Sequence, residues 1–123
     1  MAKFVFQLEG VLRHREQVEK QRMRAVAEIQ SEMNALESQL RSLDASVQDA
    51  ARNARENHLV GVLDLSFLTA HRRFVNSSQR QAMDLVQQMA KVRTHLQDAQ
   101  KQLLDAAKQK KIIEKLKEKQ YAR

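Results

Sequence analysis

Residues 26–54 read VAEIQSEMNALESQLRSLDASVQDAARNA, and apolar residues recur in this stretch at alternating steps of three and four. Nearly everything between them is polar, and the recurring residues are Val26, Ile29, Met33, Leu36, Leu40, Leu43, Val47, Ala50 and Ala54. This spacing is the a/d stripe of a heptad repeat, which is narrow and needs a partner helix to cover it. The stretch therefore predicts a long helix that packs in a coiled coil.

A second stripe with the same spacing lies in the C-terminal half of the chain. Its members are Ala82, Leu85, Met89, Val92, Leu96, Ala99, Leu103 and Ala106. If the chain folds back near Gly61, the two stripes match position for position, so that Leu40 meets Ala82 and Met33 meets Met89. The sequence therefore predicts an all-α fold, a long two-helix antiparallel coiled-coil hairpin formed by a single domain of residues 1–123. We expect helix one at about 3–57, the turn at about 58–64 and helix two at about 65–121.

Toward the N-terminus the stripe continues through Phe4, Leu8, Val11 and Val18, and two of its positions are Arg15 and Arg22. Each arginine is expected to face an alanine of the second helix, which leaves room for the aliphatic stem while the guanidinium reaches water.

Composition and charge limit the possible functions. Charged residues make up 30% of the chain, and there are two Gly and no Pro, which is typical of long helices. The chain has no Cys, which fits an intracellular protein, no uninterrupted apolar run that could span a membrane, and too short an apolar N-terminal run for a signal peptide. The formal net charge is +7, and all of the excess lies after residue 57. The lysine-rich C-terminal segment therefore predicts an acidic partner surface.

Phe67, His71 and Phe74 form a short stripe beside the second seam. One interpretation is that they cover the flank of the hairpin. The other is that they form a docking patch, since exposed phenylalanines on a thin helical protein are unfavourable unless a partner covers them.

The residue groupings that catalysis or metal binding requires are missing from this sequence. No two of the four His are spaced i, i+4, and we find no phosphate-binding glycine loop and no nucleophile motif, so we expect no metal or cofactor and no enzymatic activity. The lysines lack interleaved aromatic residues, so nucleic acid is not an expected partner. A membrane-surface helix is not expected, because residues 108–123 carry only Ile112, Ile113 and Leu116 as an apolar face.

Both ends of the chain resemble the FliJ family of flagellar export proteins. Residues 4–16, FVFQLEGVLRHRE, are similar to the family's Phe-x-Leu-x-x-Leu/Val-Leu opening and the Arg-x-x-Glu-like run that follows it. Residues 110–119, KKIIEKLKEK, are similar to its closing Lys-x-x-Glu-Lys-Leu-Lys-Glu signature. The resemblance covers the whole chain, including the apolar turn with Leu68 and Phe74 after it.

The resemblance implies a cytoplasmic component of type III export, peripheral at the inner face of the cell membrane and serving flagellar motility and chemotaxis. It implies a stalk similar in shape to the γ subunit of rotary ATP synthases, which binds the hexameric export ATPase FliI, the export gate protein FlhA and export chaperones. On this reading the ATPase contacts would be Arg13, Arg15, Lys108, Lys110, Lys111, Lys115, Lys117 and Lys119. Phe67, His71 and Phe74 would face the gate or the chaperones.

Two alternatives remain at this point. The related injectisome stalks of the YscO type share the hairpin architecture. A structural coiled-coil adaptor without any ATPase coupling would have the same heptads, and the seam would also allow a four-helix assembly of two chains.

Overall fold

The computed structural model of the chain describes residues 2–58 and 65–122, with side chains for residues 7–56 and 65–122. Two α-helices account for almost all of it: α1 runs from Ala2 to His58 and α2 from Leu65 to Tyr121. The two-helix hairpin predicted from the heptads is confirmed. The described residues contain no strand and no positive-φ backbone, because the sequence offers neither proline nor a β-type alternation that could interrupt the helices.

Gly10 lies inside α1, and the helix continues through it with an ordinary helical backbone. Ser66 lies within the first turn of α2. The predicted turn at about 58–64, except His58, is outside the described residues.

The chain divides into two compact units. We call the pair of segments Met1–Ser31 and Arg93–Arg123 the basic unit, and the segment Glu32–Val92 the neutral unit, for reasons of charge given below. Each unit contains part of α1 and part of α2, packed against each other.

In the basic unit the most buried residues are Leu8 from α1 and two alanines from α2, Ala99 and Ala106. The half-buried seam residues of this unit include Leu12, Arg15, Val18, Val26, Ile29, Leu96, Leu103, Lys110 and Ile113. Cross-helix contacts pair Glu9 with Lys117 and Arg15 with Gln109, so rising numbers in α1 meet falling numbers in α2. The two helices of the basic unit are therefore antiparallel.

In the neutral unit the buried residues are Met33 and Leu36 from α1 and Val92 and Ser78 from α2. The half-buried seam residues are Leu40, Leu43, Val47, Val75, Ala82, Leu85 and Met89. The seam of each unit is thus one apolar stripe with polar residues on both sides, as expected for a coiled coil.

Three seam positions differ from the sequence interpretation. Leu12 is half-buried whereas Val11, which was expected in the seam, is 40% exposed. Arg22, expected to pack against Ala99, is exposed, while its neighbours Ala25 and Val26 are half-buried. The two consecutive steps of four from Val18 to Val26 explain this shift, because a stutter turns the stripe around the helix.

Candidate partner-binding surfaces

Charge is distributed unequally between the two units. The neutral unit has seven basic and seven acidic residues, and the basic unit has 15 basic and eight acidic residues. The whole formal excess of +7 therefore belongs to the basic unit. A field of this size would attract an acidic partner and repel a basic one over roughly a Debye length, about 10 Å at 0.1 M salt.

Part of the exposed charge is a row of lysines on α2, which we call the lysine face. Its members are Lys101, Lys108, Lys111, Lys115 and Lys119, all exposed and none in an ion pair with another described residue. The spacing of three, four and seven puts them on one side of the helix. Leu104 and Ile112 are more than half exposed on the same side. Sequence reasoning overlooked Lys101, although its seven-residue spacing from Lys108 was a usable signal.

Lys110 and Lys117 are different, because each reaches across to α1. Lys110 Nζ donates a hydrogen bond to Glu19 Oε1 at 3.3 Å and lies 3.9 Å from Glu114 Oε1. Lys117 Nζ is 3.7 Å from Glu9 Oε1 and 5.8 Å from the centre of the Tyr121 ring. The Tyr121 hydroxyl donates to the same Glu9 oxygen at 3.3 Å. These two lysines therefore hold α1 and α2 together within the basic unit.

The partner of Lys110 also changes its acidity. The hydrogen bond to Glu19 and the negative charge of that carboxylate raise the pKa of Lys110 above its ordinary value. Burial acts in the opposite direction but has the smaller effect.

The two arginines expected to contact the ATPase have unlike surroundings. Arg13 is exposed, whereas Arg15 is half-buried in the seam. The Arg15 Nη1 atom donates to the side-chain oxygen of Gln109, while its Nε atom is buried without a hydrogen-bond partner among the described residues. Of the residues expected to contact the ATPase, Arg13, Lys108, Lys111, Lys115 and Lys119 are thus exposed and form no ion pair with another described residue.

The aromatic stripe is partly self-contained. Phe67 and His71 are half-buried, and their rings stack with centres 6.1 Å apart and an angle of 12° between the planes. Phe74, one turn further on, is 39% exposed. Phe67 and His71 thus stack on each other along α2, and Phe74 is the most exposed of the three side chains.

A groove that was not anticipated from the sequence runs along one side of the seam in the neutral unit. Its space is about 500 Å³, and its floor is formed by Leu40, Leu43, Val47, Val75, Ser78 and Ala82. Arg41, Asp44 and Gln79 border it. Past Gln79 and Ala82 it meets a second hollow beside Met83 and Val86. The missed signal is Ser78, a small polar residue at a seam position.

Neither metal-binding nor membrane-spanning features occur in the part of the chain that the structure describes. Over residues 2–58 and 65–122, no three His, Asp or Glu side chains come together in a group that could hold a metal ion. Within the same residues, neither helix has a segment long and apolar enough to cross a bilayer.

In each unit a part of α1 packs against a part of α2 along an apolar seam, which defines a two-helix coiled-coil protein. A protein-family model described as Flagellar FliJ protein matches residues 4–123, which is essentially the whole chain. The chain belongs to the FliJ family, and it is a non-enzymatic flagellar protein associated with type III export. A search of curated proteins and a search of solved structures each gave no match.

Proposed function

We propose that this chain is the stalk of the flagellar export ATPase. The basic unit binds the hexameric ATPase FliI, promotes its assembly and raises its rate of ATP hydrolysis. Phe67, His71 and Phe74 connect the ATPase to the export gate protein FlhA and to export chaperones. The protein is cytoplasmic and peripheral at the inner face of the cell membrane, and these partners hold it there.

The observation that carries the proposal is the confinement of the net charge to the basic unit, together with a lysine face whose members form no ion pair with the described residues. A carboxylate-lined sleeve in a hexameric ring would complement such a surface. Leu104 and Ile112, which are exposed between the lysines, would add apolar contact there.

The mechanism is allosteric, since it uses binding rather than bond chemistry. If the stalk binds the closed hexamer more tightly than separate ATPase subunits, binding shifts the equilibrium toward the ring by that difference in free energy. Because the active ring is then more populated, ATP hydrolysis per ATPase subunit rises.

The test is ATP hydrolysis by purified FliI with increasing amounts of the chain, alongside light scattering for ring formation. Three lysines of the lysine face, Lys108, Lys111 and Lys115, are changed together to Gln. At roughly 0.2–1 kcal/mol for each of three exposed ion pairs, the concentration for half-maximal stimulation should rise by about threefold to a hundredfold. Lys110 and Lys117 are left intact, because their loss would also weaken the hairpin.

The matched control changes three exposed arginines of the neutral unit to Gln, namely Arg55, Arg72 and Arg73, which removes the same amount of charge. Its stimulation should stay close to that of the unchanged chain. If both triple variants stimulate equally well, the lysine face does not contact the ATPase and this assignment fails. If the unchanged chain stimulates only an injectisome ATPase, the stalk belongs to that related system.

The aromatic residues are tested separately by Phe74→Ala. Because Phe74 is exposed, we expect this change to preserve both the helical circular dichroism signal and the stimulation of FliI, while it weakens binding to FlhA or to a chaperone. Undiminished binding to all of these partners would assign Phe74 to flank packing instead.

A further inference from the structure

The groove of the neutral unit results from a mismatch in side-chain size across the seam. On α1 the groove is lined by Leu40, Leu43 and Val47, whereas α2 supplies Ser78 and Ala82 between them. Ser78 is 4% exposed, so its position is a true seam position, but its side chain is too small to fill the space that a leucine would occupy there. The seam is therefore filled on one side of Ser78, and on the other side it opens into the groove.

Exposed apolar residues continue the groove along α2. Met83 is 64% exposed and Val86 is 53% exposed, and the hollow beside them has a space of about 710 Å³. From Val75 to Val86 the helix rises about 16 Å at 1.5 Å per residue, which is three helical turns. An apolar strip of this length and shape has the dimensions of a helix-in-groove site, which recognises anchors at i, i+3 or i+4, and i+7.

The charged side chains around the groove indicate the charge that a bound partner would carry. Arg41 borders the groove on α1, and Arg80 borders the adjoining hollow on α2. Both side chains are exposed, and neither forms an ion pair with any other described residue. Asp44 borders the groove beside Arg41 and keeps its negative charge, because the hydrogen bond that it accepts at 3.1 Å comes from the neutral amide of Gln48. The groove and the adjoining hollow together therefore carry a net charge of +1, from two arginines and one aspartate.

We propose that the groove binds one amphipathic helix of a partner protein, with aliphatic anchors that enter the space over Ser78 and with Asp or Glu placed opposite Arg41 and Arg80. The lysine face of a second copy of this chain is a poor occupant. Its exposed aliphatic residues, Leu104 and Ile112, lie among lysines that would be placed against Arg41 and Arg80.

This site is separate from the aromatic residues of the proposed function. Phe74 precedes the seam residue Val75 by one position, whereas Gln79 and Val86 each follow a seam residue by one. One residue is about 100° of rotation, so Phe74 lies on the opposite flank of α2 from Gln79 and Val86. A partner in the groove would leave Phe74 accessible to another protein.

The probe is a synthetic helix of about 20 residues with leucine at positions a and d and glutamate at e and g, labelled for fluorescence anisotropy. A second peptide carries lysine in place of every glutamate. Like charges on their flanks keep each peptide from pairing with itself. We expect the glutamate peptide to bind the full chain at least tenfold more tightly than the lysine peptide.

Because an acidic peptide is also attracted to the lysine face, the site is located with Ser78→Leu. This change fills the groove from within the seam and should raise the urea midpoint of unfolding. It should also weaken binding of the glutamate peptide at least tenfold. If the peptide binds as tightly to this more stable variant, it binds elsewhere and the proposal is overturned.

The charge assignment is tested by Arg41→Glu combined with Arg80→Glu, which should reverse the preference so that the lysine peptide binds more tightly. Arg55→Glu with Arg73→Glu makes the same change in charge away from the groove and should preserve the preference for glutamate. An unreversed preference in the first variant would overturn the proposal. So would sedimentation showing that Ser78→Leu converts a dimer of the unchanged chain to a monomer, because a second copy would then be the occupant.

Discussion

At the residue scale, Lys110 is the side chain whose ionisation matters to the hairpin. Its raised pKa means that the folded chain holds this proton more tightly than the unfolded chain, whose lysines titrate near 10.5. The stabilising contribution is therefore fully present below pH 10.5 and is lost as the pH rises through the higher folded value.

We predict that Lys110→Gln lowers the free energy of unfolding at pH 7, and that the difference from the unchanged chain shrinks as the pH is raised above 10.5. Urea titrations followed by circular dichroism, at pH 7 and again in strongly alkaline buffer, measure this difference. Lys101→Gln is the control, because Lys101 is exposed and makes no ion pair with the described residues. A Lys110 effect that is equal at both pH values would show that packing of the stem, rather than charge, is what Gln removes.

Gly10 provides a second prediction at the residue scale. A methyl group added at Gly10 would have no atom within 4 Å, and the backbone there is not in the left-handed region. Gly10→Ala should therefore stabilise the chain by up to about 1 kcal/mol, since glycine is the less favourable residue in a helix interior. Ala27→Gly, at another exposed position of α1, should destabilise by a similar amount. If the two changes do not have opposite signs in urea titrations, α1 does not behave as one regular helix through Gly10.

At the element scale, two methionines separate the contribution of the seam from that of the surface. Met33 is 4% exposed in the seam, whereas Met83 is 64% exposed beside the groove. We predict that Met33→Ala costs about 2–5 kcal/mol of unfolding free energy, because it removes buried atoms and leaves a cavity. Met83→Ala should cost less than about 0.5 kcal/mol. Similar midpoints for the two variants in thermal or urea unfolding would contradict the seam described here.

The two helices themselves could be predicted from the sequence, because a heptad stripe specifies both a helix and the side on which its partner lies. Departures from the stripe were harder to predict. Val11 and Leu12 are adjacent and both apolar, so the pattern alone could not decide which of them enters the seam near a stutter. Ser78 was passed over because hydrophobicity identifies seam positions, and the groove exists where a seam position is not hydrophobic.

At the scale of the whole molecule, the excess of basic residues could be counted from the sequence, but the engagement of individual lysines could not. Lys110 and Lys111 are neighbours in a lysine-rich run, yet the first lies in the seam with Glu19 and the second points to the outside. Their separation follows from the 100° turn between successive helical residues, combined with the position of the seam. The surface that a partner meets is therefore narrower than the charge run suggested.

The division between lysines that pair with α1 and lysines that face outward predicts how the affinity for the export ATPase depends on salt. If the lysine face carries the attraction, raising the salt from about 0.05 to 0.3 M should weaken binding of the unchanged chain several-fold, because exposed charges are screened. The Lys108, Lys111 and Lys115 triple Gln variant should bind more weakly at low salt and lose little more at high salt. The Arg55, Arg72 and Arg73 triple variant should keep the salt dependence of the unchanged chain. Binding curves at several salt concentrations measure all three slopes, and equal slopes for the two variants would mean that the partner responds to the total charge rather than to the lysine face.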